Sequence, residues 1–193
     1  MSSAGVLEHA ARRFCPPYEL GETSGLRIRL RDPGGVRPAL TLRHHHERRL
    51  FLKANYLVAE SDVPGAGPPE DGELSFRFRG PLGRQRATLR WRRPLRDGAS
   101  WATRLERPLL RAIRSVQAVE SFRIRWSAGD RRWHLYLKTL SGSMLGGFMS
   151  PLPIPVPIDR EEAEGIIAIV DALASTGDVS GPAASVGTGP DGE

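Results

Sequence analysis

The sequence predicts an α+β fold: one antiparallel sheet of about six to eight strands, helices packed on one face, and a disordered C-terminal tail. Three observations carry that expectation. Short segments with an apolar residue at every second position follow one another between Gly- and Pro-rich turns. Two longer segments, 100–117 and 159–175, change to the helical period. From Thr176 onward the chain is Gly, Ser, Ala, Pro and acid, a composition that cannot form a core. The expected organisation is a single domain over 1–175 followed by a tail over 176–193.

Residues 7–14 read as a short helix, with Val6, Leu7, Ala10, Ala11 and Phe14 at i, i+3, i+4 spacing. Pro16-Pro17 end it. The period then becomes two. Leu26, Ile28 and Leu30 alternate with Arg27, Arg29 and Arg31, the pattern of a strand with one buried and one wet face. Asp32-Pro-Gly-Gly turns the chain into a second strand, 39–46. A third, 49–60, is apolar on parts of both faces and belongs near the centre of the sheet. Residues 61–72 have no apolar period and are expected to form a mobile loop. A fourth strand, 73–79, places Leu74, Phe76 and Phe78 on one side. A turn at 80–83 leads to a fifth, 84–93, with Ala87, Leu89 and Trp91 facing in.

Ser100 is the expected N-cap of the longer helix. Trp101, Leu105, Leu109, Ala112, Ile113 and Val116 form its apolar stripe, and Arg104, Arg107, Arg111 and Arg114 lie opposite. Pro108 is expected to kink it or to open its second half. Two strands follow, 119–126 and 132–140. In the segment 151–158, prolines at every second position remove backbone donors from one side only. It therefore reads as an edge strand, with Leu152, Ile154, Val156 and Ile158 bonding to a neighbour and facing the core. Its Pro-x-Pro spacing differs from the Pro-x-x-Pro of a ligand for a recognition module. Asp159 caps the last helix, whose Ile166, Ile167, Ile169, Val170 and Leu173 cover more than one stripe.

The chain has 193 residues, 39% of them hydrophobic, which suffices for a core without covalent staples. A lone cysteine, Cys15, excludes an internal disulfide. The first residues show no basic region before an apolar run, and no apolar run reaches ~18 residues, so neither a secretory signal nor a membrane span is expected. The expected location is the cytoplasm.

The net charge of +6 conceals a segregation. Residues 26–132 hold 23 Arg and one Lys against 11 acids, whereas 159–193 hold eight acids against Arg160. A basic body carries an acidic end.

Few residues invite chemistry. His44 and His46 share a strand face and offer two metal ligands, but no third is fixed by the pattern. The triplet His44-His45-His46 is read as a polar strand end. Cys15 lacks a base on its own helix face, since His9 is six residues away. The segment 141–147 has neither the Gly-Lys-Ser ending of a phosphate loop nor the Gly-x-Ser-x-Gly elbow, and reads as a flexible connection. No catalytic residue, metal or cofactor is expected.

What remains is a basic outward face. Arg27, Arg29, Arg77, Arg79, Arg86, Arg90, Arg123 and Arg125 lead the set, and the strands supply few acids to alternate with them. Like charges directly opposite destabilise a sheet, so such a face is expected to meet an anion. Nucleic-acid backbone is the commonest polyanion, and Arg forks onto phosphate. The expected function is non-catalytic polyanion binding. One alternative is a small-ligand domain with an apolar pocket between sheet and C-terminal helix, lined by Phe76, Trp91, Trp126 and Trp133. Another is an adaptor that docks a protein partner through the basic helix.

Overall fold

The computed structural model describes residues 2–49, 52–79, 86–93, 95–116, 119–147 and 150–177. The elements follow in the order α1 (Ser3–Arg12), β1 (Glu19–Ser24), β2 (Arg27–Arg31), β3 (Leu40–Arg49), β4 (Leu52–Pro64), β5 (Gly72–Arg79) and β6 (Arg86–Trp91). Next come α2 (Gly98–Arg114), β7 (Val119–Ser127), β8 (Arg132–Gly147), β9 (Ser150–Pro155) and α3 (Arg160–Ala174). The fold is α+β, as expected. Nine strands form one sheet in the order β1-β2-β3-β4-β8-β7-β5-β6, with β9 paired to β8 off that path. Every pairing is antiparallel.

All three helices share one core with the inward side of the sheet. Leu7 and Phe14, Leu105 and Leu109, and Ile166 and Val170 pack in the same cluster as Leu30, Leu42, Leu57, Ile124, Trp133 and Leu137. Each fully buried Leu or Ile contributes about 1.5–3 kcal/mol. In β2 the burial alternates, with Ile28 and Leu30 inside and the three arginines outside. Slipping that strand by one residue would turn three guanidinium groups into the core, so the apolar pattern fixes the register.

The helix ends depart from expectation in two places. α1 starts at Ser3, earlier than residue 7, because the Ser2 hydroxyl accepts from the Gly5 N–H at 3.2 Å. α2 starts at Gly98, two residues before Ser100. Its cap residue is Asp97, in the left-handed region at φ 57° and without a side-chain cap bond. The Ser100 hydroxyl instead donates to the Asp97 carbonyl at 2.8 Å. α2 continues through Pro108, which is exposed, to Arg114. The expected cap of the last helix is present: the Asp159 carboxylate accepts from the Glu162 N–H at 2.8 Å.

The strands depart further. β1 has no counterpart in the sequence pattern, because all six of its residues are exposed and nothing alternates. β4 runs on to Pro64, so the first four residues of the expected loop 61–72 are strand, with Ser61 to Pro64 opposite Leu135 to Arg132. The remainder packs on two tryptophans. Trp126 Nε1 donates to the Pro68 carbonyl at 2.7 Å and Trp133 Nε1 to the Ala66 carbonyl at 3.1 Å. A Cβ on Gly67 would lie 2.5 Å from the Trp126 ring. This small-residue segment is a fitted strap, and its carbonyls are what the buried indoles need.

β9 pairs with β8 alone, as an edge strand should. Val156 donates to the Ser143 carbonyl at 2.8 Å and accepts from the Gly142 N–H at 2.9 Å. Ile158 is buried, but Ile154 is 59% exposed rather than in the core, since among the described residues nothing covers that side of the rim. Residues 141–147 are not a flexible connection either. They belong to β8, which bulges between Thr139 and Met144 and places Gly142 at φ 76°. Thr176 is buried, so the body extends past residue 175. The rest of the expected tail 176–193, from 178 onward, lies outside the described residues.

A two-banked arginine trough on the outer face

The antiparallel register arranges the outward side chains in rows. One row runs Arg90, Ser75, Arg123, Tyr136, Glu60, Thr41, Arg29 across β6, β5, β7, β8, β4, β3 and β2. The next runs Glu73, Arg125, His134, Asp62. The face is concave and encloses a trough of about 1160 Å³. Arg27 and Arg29 of β2 form one bank, and Arg123 and Arg125 of β7 the other. Thr41, Glu60, Asp62, His134 and Tyr136 lie between, and Arg132 also lines the trough. Four strand spacings separate the banks, about 19 Å along the sheet.

The expectation that few acids alternate with these arginines is corrected here. Glu60, Asp62 and Glu73 are interleaved by the register, which lowers the repulsion within the face. Each already has a nitrogen partner. Arg43 holds Glu60 through two bonds, Nη2 at 2.7 Å and Nε at 3.1 Å. His134 Nδ1 is 2.6 Å from Asp62, and Arg92 Nε is 3.2 Å from Glu73. Among the described residues no carboxylate lies within ion-pair distance of Arg27, Arg29, Arg123, Arg125 or Arg132. Arg123 instead lies 5.7 Å over the Tyr136 ring.

Of the sequence-expected arginines, Arg27, Arg29, Arg123 and Arg125 therefore meet in one site. Arg90 is exposed in the same row on β6, outside the trough lining. Arg77, Arg79 and Arg86 belong to β5 and β6, with Arg79 opposite Arg86, and their side chains lie outside the described residues. Arg132, Glu60 and Asp62 were not singled out by the sequence, because only the pairing of β8 with both β4 and β7 places them there.

The four aromatics of the alternative pocket are packed instead. Phe76 stacks on Phe122 at 4.1 Å, and Trp133 lies 4.8 Å from Trp126 and 6.3 Å from Trp91. The Trp91 N–H donates to the Gly98 carbonyl. None of the four lines the trough or a second cleft of about 880 Å³ beside it, which shares Pro38, Pro64 and Arg132 with the trough.

The histidine triplet lies within β3, not at its end, paired with Leu57, Tyr56 and Asn55. His44 is buried, and its Nε2 donates to the Gly142 carbonyl at 3.0 Å. Burial holds its pKa below the ordinary 6.5, against the opposing pull of that bond. His46 is exposed and bonds to Asn55 at 2.9 Å. Among the described residues no three His, Cys, Asp or Glu side chains are grouped to hold a metal ion. Cys15 is half-buried, and burial, with Glu19 nearby, pushes its thiol pKa up, away from a nucleophilic thiolate. No helix among the described residues is long and apolar enough to cross a membrane.

Compared with known protein families, residues 12–176 match the model described as "Protein of unknown function (DUF3156)". No curated protein and no solved structure matches the chain.

Proposed function

The chain belongs to the DUF3156 family of proteins of unknown function, so its activity has to be read from its own side chains, and we propose that it is a non-catalytic binding protein whose trough takes a nucleic-acid backbone. The observation that carries this reading is the division of labour among the charges. Of the trough's acids, Glu60, Asp62 and Glu73 are engaged by Arg43, His134 and Arg92 and Glu22 of β1 stands at the rim, while among the described residues five arginines facing the same space have no carboxylate within ion-pair distance. Arginine forks bidentately onto phosphate, and an anion in this space meets guanidinium groups from both banks.

A single strand suits the concavity better than a duplex. Its phosphates reach the banks while an unstacked base lies on Tyr136, whose ring Arg123 already faces. The apolar pocket reading loses its support, because Trp126 and Trp133 lie in the core and Trp91 packs against it, with their indole N–H groups bonded.

The test is fluorescence anisotropy of labelled single-stranded and duplex oligonucleotides across a salt series, with wild type and an Arg27→Gln, Arg29→Gln, Arg123→Gln, Arg125→Gln variant. Single-strand binding is expected to weaken with salt at a log–log slope of about −0.7 per phosphate contact. The variant is expected to lose most of that slope. Wild type that binds no oligonucleotide at low salt, or a variant with unchanged affinity and slope, overturns the reading.

A further inference from the structure

The trough leaves the basic helix unused. Arg104, Arg107, Arg111 and Arg114 of α2 are all exposed, and Leu105, Leu109, Ala112 and Ile113 are buried on the opposite side. At 3.6 residues per turn the four arginines fall within a sector of about 80° and extend along about 15 Å of helix. Among the described residues none has a carboxylate within ion-pair distance; Arg104 lies 5.2 Å over the Trp101 ring. The first turn of α2 has no acid, and the helix carries a single one, Glu106, about 80° away from the row's near edge. Arg104/Arg107, Arg107/Arg111 and Arg111/Arg114 are like-charge neighbours at i,i+3 or i,i+4, each of which disfavours the helix. Arg111 and Arg114 sit in the last turn, where the helix dipole favours cations, but Arg104 and Arg107 gain nothing from it, which argues that the row serves something outside the chain.

A straight row narrower than the helix matches a line of charges, not a plane. The exposed large apolar residues Leu20, Leu26, Val36 and Ile154 all lie elsewhere, so α2 has none to insert between lipids. Arg90 stands in the outward row of Arg123, and the exposed Arg93 and Arg96 lie in the connection from β6 to α2. Exposed arginines thus follow the chain from the outer face round the β6 edge to the helix. Building on the nucleic-acid reading above, we propose that α2 lies along the backbone of a double helix, and that the preferred partner joins a duplex arm on α2 to a single-stranded arm in the trough.

The test compares three labelled DNAs, namely a single strand, a blunt duplex, and a duplex with a single-stranded tail. Wild type is set against the trough variant and an Arg104→Gln, Arg107→Gln, Arg111→Gln, Arg114→Gln variant. Glutamine is a good helix former, so circular dichroism is expected to show α2 intact. Wild type is expected to bind the tailed duplex tightest. The helix variant is expected to lose up to about 3.6 from the duplex slope, four contacts at 0.9 each, with single-strand binding unchanged. Duplex affinity and slope unchanged in the helix variant overturn the inference while leaving the trough reading intact. So does loss of binding to phosphatidylserine vesicles alone. Absence of any nucleic-acid binding by wild type overturns both.

Discussion

Arg43 grips Glu60 through two charge-assisted hydrogen bonds of 2.7 and 3.1 Å, and so neutralises the carboxylate that lies midway between the arginine banks. Replacing Glu60 with Gln removes that negative charge and releases Arg43. Single-strand affinity at low salt is expected to rise several-fold. The pair is about a third exposed, so the loss in stability is expected to be about 1 kcal/mol. Anisotropy and urea denaturation check the two effects separately, and weakened binding would mean that Glu60 contacts the ligand itself.

His44 makes stability fall on the acid side. Burial holds its folded pKa below the ordinary 6.5, so between the two values the unfolded chain binds the extra proton. The contribution is complete above about pH 6.5 and is lost as the pH falls below that value toward the folded pKa. A His44→Gln variant keeps a donor for the Gly142 carbonyl without a titrating ring. Melting temperatures between pH 5 and 7.5 are expected to flatten in the variant relative to wild type.

Thr176 ties the end of α3 to the tryptophans. Its hydroxyl donates to the Leu173 carbonyl at 2.7 Å and accepts from Trp133 Nε1 at 3.2 Å and the Ala66 N–H at 3.3 Å. Thr176→Val takes the acceptor from the Ala66 N–H and leaves Trp133 Nε1 with the Ala66 carbonyl alone, and a loss of about 1–3 kcal/mol is expected by chemical denaturation. Truncation after Ser175 is expected to lower the melting temperature, whereas truncation after Gly177 retains these bonds.

Gly67→Ala forces a methyl into the Trp126 ring, which the bond to Pro68 holds in place. Overpacking of this kind costs about 1–3 kcal/mol. Near-ultraviolet circular dichroism is expected to change with it, reporting a shifted indole.

The sequence made most of the fold legible where burial alternates. β2, with arginines between Ile28 and Leu30, and β7, with Phe122, Ile124 and Trp126 inward, follow period two. β1 was not legible, because a rim strand with both faces wet carries no apolar period. The strap after Pro64 looked like a loop because its role lies in two carbonyls and a missing side chain, none of which composition records. The site was half legible for the same kind of reason. Outward arginines can be counted on single strands, but which of them face one another depends on strand order. Glu60, Asp62 and Glu73 join the trough only because β4, β8, β7 and β5 lie side by side.

That strand order also dictates when the sheet can be completed during translation. β1 to β4 neighbour one another in chain order, and β5 with β6 makes a hairpin, but β4 and β7 never touch. Only β8 joins them, pairing with β4 along Leu52 to Pro64 and with β7 along Val119 to Ser127. A ribosome must therefore deliver residue 147 before the two halves can close. Until then β4 and β7 each present an unsatisfied edge, and contacts so distant in sequence form slowly. The nascent chain is most vulnerable to aggregation in that interval, and a pause in synthesis just before β8 would lengthen it.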